Sequence, residues 1–135
     1  MTLLPGKDAR DLFALAVDLG TGGPKVGLVS LTGVIAYREH LPVLTSRSAD
    51  GGATQDAAQW WLLVCEATRR AVDSGVVANE DIAAVSCTGQ WASTVPVDRN
   101  GHPVGDCLMW LDSRGGPLVR QAVGGPVAGY APLAL

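Results

Sequence analysis

The stretch "FALAVDLGTGGPKVGLVSL", residues 13–31, sets two apolar runs on either side of a glycine-rich break that holds one acid and one lysine. The first run, Phe13 to Val17, is short and uniformly apolar, as expected of a strand buried on both faces. After the break, Lys25 to Leu31 alternates well enough for a second strand. The turn between them has two readings. In one, Gly20, Gly22 and Gly23 merely supply positive φ for a tight hairpin, and Lys25 is solvated. In the other, the backbone N–H groups of Gly20 to Gly23 face a phosphate with no bulky side chain in the way. Asp18, at the strand end, would then hold a metal or its water shell near the same phosphates, and Lys25 would add positive charge. The spacing is neither that of a G-x-x-x-x-G-K-[ST] loop, which runs into a helix, nor the G-x-G-x-x-G of a dinucleotide fold.

Working outward, Thr32-Gly33 makes a tight connection and "VIAYREHLPV" (34–43) reads as a third strand ending at Pro42. Three strands with short turns form an antiparallel meander. Residues 45–54, polar and glycine-rich, read as a loop. Asp56 followed by Gln59 resembles a capping box. From there Trp61, Val64, Cys65, Thr68, Ala71 and Val72 recur at helical spacing, and the helix ends near Ser74-Gly75. "IAAVSCTG" (82–89) reads as a central strand. "STVPVD" (93–98) and "CLMW" (107–110) read as a small hairpin around the turn Asp98–Gly101. From Leu111 the chain looks irregular, with one helical turn near 117–123. The expected fold class is α/β: a mixed sheet with a β-β-β-α-β opening and a helix packed on it. There is no internal repeat and no linker.

Composition narrows the function. A chain of 135 residues, 47% hydrophobic and 17% charged, fits one small domain with a buried core. A net charge of -3 offers no basic footprint, so nucleic acid is not an expected partner. Pro5, Gly6 and charges interrupt the N-terminus before any signal-like run, and no apolar run approaches the roughly 20 residues that span a bilayer. No membrane partner is expected. Cys65, Cys87 and Cys107 are odd in number, far apart and set in apolar sequence. They read as buried reduced thiols in a cytoplasmic protein. Neither His40 nor His102 has a partner at zinc-ligand spacing.

Four stretches taken together carry a resemblance. "DLGTGGPK" (18–25), "TQDAAQWW" (54–61), "IAAVSCTGQWASTVPVDRNGHPV" (82–104) and "MWLDSR" (109–114) resemble, in order, four motifs of the FGGY carbohydrate kinases. Those motifs are a D-x-G-T-x-x-x-K phosphate turn, an E-Q-D-x-x-x-W-W helix start, a G-Q strand end and a W-x-D-x-R segment. The resemblance covers nearly the whole chain, including the closing "GGPVAGYAPLAL", and implies an actin-like, ribonuclease-H-type fold. It also implies phosphoryl transfer from ATP with Mg2+ to a hydroxyl of a small-molecule sugar or polyol. In that chemistry the protein positions the reactants and neutralises charge. Asp18, Gly20, Thr21, Gly22, Gly23 and Lys25 are then the cofactor-binding residues, with Asp18 reaching the metal through Mg-ATP. Gln90, Trp91, Asp112 and Arg114 would face the sugar. Asp112 and Arg114 could equally pair with each other, and Trp60, Trp61 and Trp110 read as packing anchors.

Two departures shape the expectation. The family pair after the strand-end Gln is often Met-His or Arg-Glu; here it is Trp91-Ala92, which gives the substrate no polar hand. The surrounding residues look more like xylulokinase than glycerol kinase, so a pentulose such as xylulose is expected. The chain is also far shorter than family members, so residues 1–135 are expected to be the N-terminal part of the first kinase domain. The general base and the second domain would then lie elsewhere, and residues 1–135 alone would be inactive and self-associating, as a homo-oligomer. A non-catalytic remnant that binds sugar or a partner chain is the alternative.

Overall fold

The computed structural model describes residues 11–124. The glycine break turns a strand back on itself: β1 (Phe13–Gly20) and β2 (Gly23–Ser30) pair antiparallel, with Asp18 opposite Lys25 and Gly20 opposite Gly23. Gly23 has φ +119, and a Cβ there would collide with the Leu41 carbonyl. Only glycine meets both conditions. β3 (Ile35–His40) pairs antiparallel with β2. It is shorter than the 34–43 run because Pro42 has no N–H to donate, although Leu41 N and Val43 N still bond Pro24 O and Gly22 O at 3.0 Å.

The stretch 45–54, expected as a loop, contains two short strands, β4 (Ser46–Arg47) and β5 (Ala53–Gln55). Asp56 then caps α1 (Ala57–Asp73), its Oδ1 accepting from Ala58 N at 2.8 Å and Gln59 N at 3.3 Å. After a 3-10 turn at Asn79–Asp81 the chain enters β6 (Ile82–Gly89), which runs parallel to β1. The main sheet is ordered β3-β2-β1-β6, so its β-β-β-α-β connectivity is the one expected. The central position expected for β6 is not: it stands at the edge and its side chains are exposed, because no described strand lies beyond it.

α1 lies across β2, β3 and β1. Leu15, Val26 and Leu28 meet Ala67, Ala71 and Val77 there, with Phe13, Val17, Tyr37, Leu41 and Ile82 around them. The two alanines let the helix approach closely. Burying a leucine at such a site contributes about 1.5–3 kcal/mol. The buried helix face is Trp60, Ala67 and Ala71, rotated from the expected one, and Trp61 is 68% exposed. The cap at Asp56 and the bond from Trp60 Nε1 to Gln55 Oε1, 2.9 Å, fix that rotation.

A second core joins Val43, Ala53, Trp60, Cys107 and Met109, packed by Leu19, Ala57, Leu63, Val95 and Leu111. It lies with the small sheet β4-β5-β7, where β7 is Cys107–Leu108. The expected 93–98/107–110 hairpin reduces to two bridges, Thr94–Leu108 and Val97–Pro103, since Pro96 and Pro103 cannot donate. Its turn is as expected, with Asp98 Oδ1 accepting from Asn100 N and His102 N. α2 (Gly116–Val123) follows. Of the three free thiols only Cys107 is buried; Cys65 is half-buried and Cys87, on the edge strand, is exposed. Trp110, expected in the core, is exposed too. Among the described residues no helix is long and apolar enough to cross a membrane. The readings made on residues 1–10 and on the closing segment from Gly125 lie outside the described residues.

Candidate functional site

Strand alternation sends Val26 and Leu28 toward α1 and Lys25 and Gly27 to the opposite, open face. Register then builds a row. Lys25 stands opposite His40 on β3 and opposite Asp18 on β1, while Asp18 stands beside Thr88 on β6. A polar line His40–Lys25–Asp18–Thr88 thus crosses four strands. Lys25 Nζ donates to Asp18 Oδ2 at 3.1 Å, both side chains about half exposed. A Cβ on Gly20 would sit 2.9 Å from Lys25 Nζ, so the ammonium lies across that glycine. Next to this line, Arg38, Gly27, Ala16 and Ser86 border an open depression of about 520 Å³.

The turn itself is held from behind. Gln55, 2% exposed, donates through Nε2 to Thr21 O and to Thr45 Oγ1, both at 2.8 Å. Trp110 Nε1 donates to Thr21 Oγ1 at 3.0 Å. Gly22 O accepts from Val43 N at 3.0 Å and from His40 Nε2 at 3.2 Å.

The end of β6 reaches the same place. Gln90 N donates to Leu19 O at 2.9 Å, which sets Gln90 beside Gly20. Ser93 Oγ donates to Gln90 Oε1 at 2.8 Å and accepts from Trp110 N at 3.1 Å. Gln90 Nε2 is buried with no hydrogen-bond partner among the described residues. Trp91 is 82% exposed. Ala92 has φ +58, the one non-glycine with positive φ among the described residues. Such strain costs on the order of 1–3 kcal/mol and gathers at functional sites.

Asp112 and Arg114 lie in the loop after β7, against β5 of the small sheet. Arg114 Nη2 bonds Asp112 Oδ2 at 2.6 Å, and Arg114 Nε reaches both carboxylate oxygens at 3.1 Å. Asp112 Oδ2 also accepts from Ala53 N at 3.0 Å. Those bonds, the Arg114 ones first, hold the Asp112 carboxyl well below the usual carboxylate range and push the Arg114 guanidinium up. Of the two readings open in the sequence, mutual pairing is present.

Four residues around the site were not singled out for it from sequence: His40, Gln55, Ser93 and Trp110. A count outward from the β2–β3 turn, where Val29 pairs with Ile35, sets Lys25 opposite Glu39; the register shift between Leu28 and Val29 brings His40 there instead. Gln55 reads in the sequence only as part of a helix start, and its polarity gives no sign of burial. Nothing in the spacing of Ser93 or Trp110 signals the bonds that Trp110 makes with Ser93 and Thr21, 17 and 89 residues away. Among the described residues no group of three or more His, Cys, Asp and Glu gathers as a metal site.

Residues 13–122 match the N-terminal domain of the FGGY family of carbohydrate kinases. A glycerol kinase of Agrobacterium fabrum is 32% identical over 81% of this chain and 22% of its own length. A xylulose kinase of Staphylococcus epidermidis is 25% identical over 79% of this chain and 22% of its own. The chain therefore spans about a fifth of the length of these relatives. The crystal structure of xylulose kinase from Rhodospirillum rubrum superposes on 85% of this chain and 23% of its own, with TM-score 0.69 and 23% identity, which shows the fold. With its mixed sheet and β-β-β-α-β opening, that fold is the actin-like one. The chain belongs to the FGGY family of carbohydrate kinases.

Proposed function

We propose that this chain supplies the phosphate-facing and acceptor-facing ends of β1 and β6 to an ATP-dependent carbohydrate kinase, as the N-terminal part of its first domain. The observation that carries the reading is the juxtaposition of the Asp18–Lys25 pair, the Gly20–Gly23 turn and Gln90–Trp91 at the ends of two adjacent parallel strands. Ligands of open α/β sheets bind outside such carboxyl ends.

In this reading Gly20, Thr21, Gly22 and Gly23 present backbone to the ATP phosphates, and Lys25 adds positive charge. Mg2+ takes most of its ligands from phosphates and water and needs only one or two carboxylates. Asp18, half exposed beside the turn, fits that need. Trp91 offers an exposed face on which a sugar ring stacks. Gln90 fixes the strand end on which Trp91 stands. Arg114, held by Asp112 through Nε and Nη2, would offer Nη1 to a hydroxyl. The relatives include both glycerol and xylulose kinases; a pentulose is the acceptor we favour, on the aromatic Trp91. A general base and an adenosine pocket outside residues 1–135, a cytoplasmic setting, and self-association through the β6 edge, which no described strand covers, complete the proposal.

The test is a coupled ADP-release assay over glycerol, gluconate and xylulose, using the longest polypeptide that carries residues 13–122. Asp18→Asn should lower kcat by about two orders of magnitude or more, the scale of removing one preorganised electrostatic group. Trp91→Ala should raise KM for the preferred sugar and change the substrate ranking. Unchanged turnover in the first variant, or unchanged KM and ranking in the second, would remove the corresponding role.

A further inference from the structure

We infer that His40 is a positioning residue that keeps the Thr21–Gly23 turn receptive to anions by holding its carbonyls away from the ligand. The inference rests on the phosphate reading of the turn and adds to it a residue and a physical task.

A turn binds an anion only if its N–H groups, not its carbonyls, face the ligand. Two adjacent glycines make that hard to guarantee. With no side chain to bias φ, the peptide between Gly22 and Gly23 can rotate and bring an oxygen toward a phosphate, where it repels. The chain meets this with three side chains from three segments. Thr21 O is bonded by Gln55 Nε2 at 2.8 Å, and Thr21 Oγ1 by Trp110 Nε1 at 3.0 Å. Gly22 O is bonded by His40 Nε2 at 3.2 Å, together with Val43 N at 3.0 Å. Because that partner is a carbonyl, which only accepts, His40 Nε2 carries the hydrogen, and this fixes the tautomer of the neutral ring. Consecutive carbonyls are thus both pulled toward the protein.

His40 is also well placed for the task. Register sets it opposite Lys25, whose ammonium lies over Gly20 and reaches Asp18. It is exposed, so its replacement leaves both cores untouched, whereas Gln55 is buried and bonded to Trp60. The chain holds two histidines, and His102 lies on the Asp98 turn, bonded to Asp98. One histidine is the probe and the other its internal control.

The experiment is an NMR titration of the 135-residue chain with magnesium pyrophosphate, following the ring signals of both histidines and the amides of Gly20, Gly22 and Gly23. His40 and the glycine amides should shift on one binding curve while His102 stays still. His40→Phe, which keeps a ring and loses the donor, should weaken binding about five- to tenfold, the scale of one net hydrogen bond. His40→Gln, whose amide nitrogen can take the place of Nε2, should recover most of it. Glycine shifts with a silent His40 and full affinity in His40→Phe would overturn the inference and leave the phosphate reading standing. No shift in the glycine amides at millimolar pyrophosphate would overturn both. Weakening in His40→Phe that His40→Gln does not recover would assign the effect to the ring's bulk, and the inference would fail.

Discussion

The four-stranded sheet is built from strands of six to eight residues with a helix laid across them, whereas the strands of the three-stranded sheet have only two or three residues each. The small sheet is tied instead by side chains: Gln55 to Trp60 and Thr21, and Asp112 to Ala53 and Arg114. One region is thus held by apolar area and backbone ladders, the other by directed polar bonds. The glycine turn stands between them, built by the first and clamped by the second.

That contrast can be broken by substitution. Leu28→Ala, at a side chain with 0% exposure, should cost about 3–5 kcal/mol, measured by urea unfolding, because it leaves a cavity between sheet and helix. Loss below about 1 kcal/mol would mean that the helix contact is not what holds the large sheet. Gln55→Leu keeps volume but strands Trp60 Nε1 and Thr21 O without their partner, at about 1–3 kcal/mol. Hydrogen exchange should localise that loss to β5, β7 and the turn, sparing β1 and β2. Uniform deprotection would show the two regions to be one cooperative unit.

Acid sharpens the same comparison with a smaller effect. Asp112, bonded to Ala53 of the small sheet, and Glu39, in the large one, both titrate below their ordinary values, through bonds from Arg114 and Arg70 respectively. A depressed carboxyl stabilises the fold fully above its unfolded value, near 4, and loses that contribution as pH falls toward the folded value. Asp112 is held further down, so the small sheet should keep losing stability at pH values where Glu39 has already protonated. Exchange of the Ala53 and Met109 amides between pH 5 and 2 would show it. Flat exchange over that range would remove the role given to the Asp112–Arg114 pair.

What could be read in advance divides along the same line. The meander, α1 and β6 were legible because their apolar residues recur with strand or helix period over six or more positions. The glycine turn itself was legible because two apolar runs flank eight residues that hold its glycines, an acid and a lysine. β4 and β5 were not, since two or three residues carry no period; β7 falls within the expected 107–110 strand, but its pairing with β5 was not foreseen. Their partners lie far along the chain, as when Gln55 pairs with Cys107. The helix face was misjudged for a related reason: Trp60 and Trp61 are both apolar, and a hydrogen bond to Gln55, not hydrophobicity, chose between them. Asp112 and Arg114 were found, but a pattern of residue types could not tell a mutual pair from a ligand site.

The pairing of β1 with β6, Phe13 to Ile82 at one end and Leu19 to Gly89 at the other, carries a consequence for how the molecule assembles in time. Strands β1 to β3 neighbour one another along the chain, so their hairpins close cheaply; β6 must close a loop that contains two short strands and the whole of α1. The expected order is therefore meander and helix first, β6 last. In pulse-labelled refolding, the β2 amides should be protected before those that β6 gives to β1. The glycine turn would exist, backbone and all, before the strand that carries Gln90 and Trp91 is docked beside it.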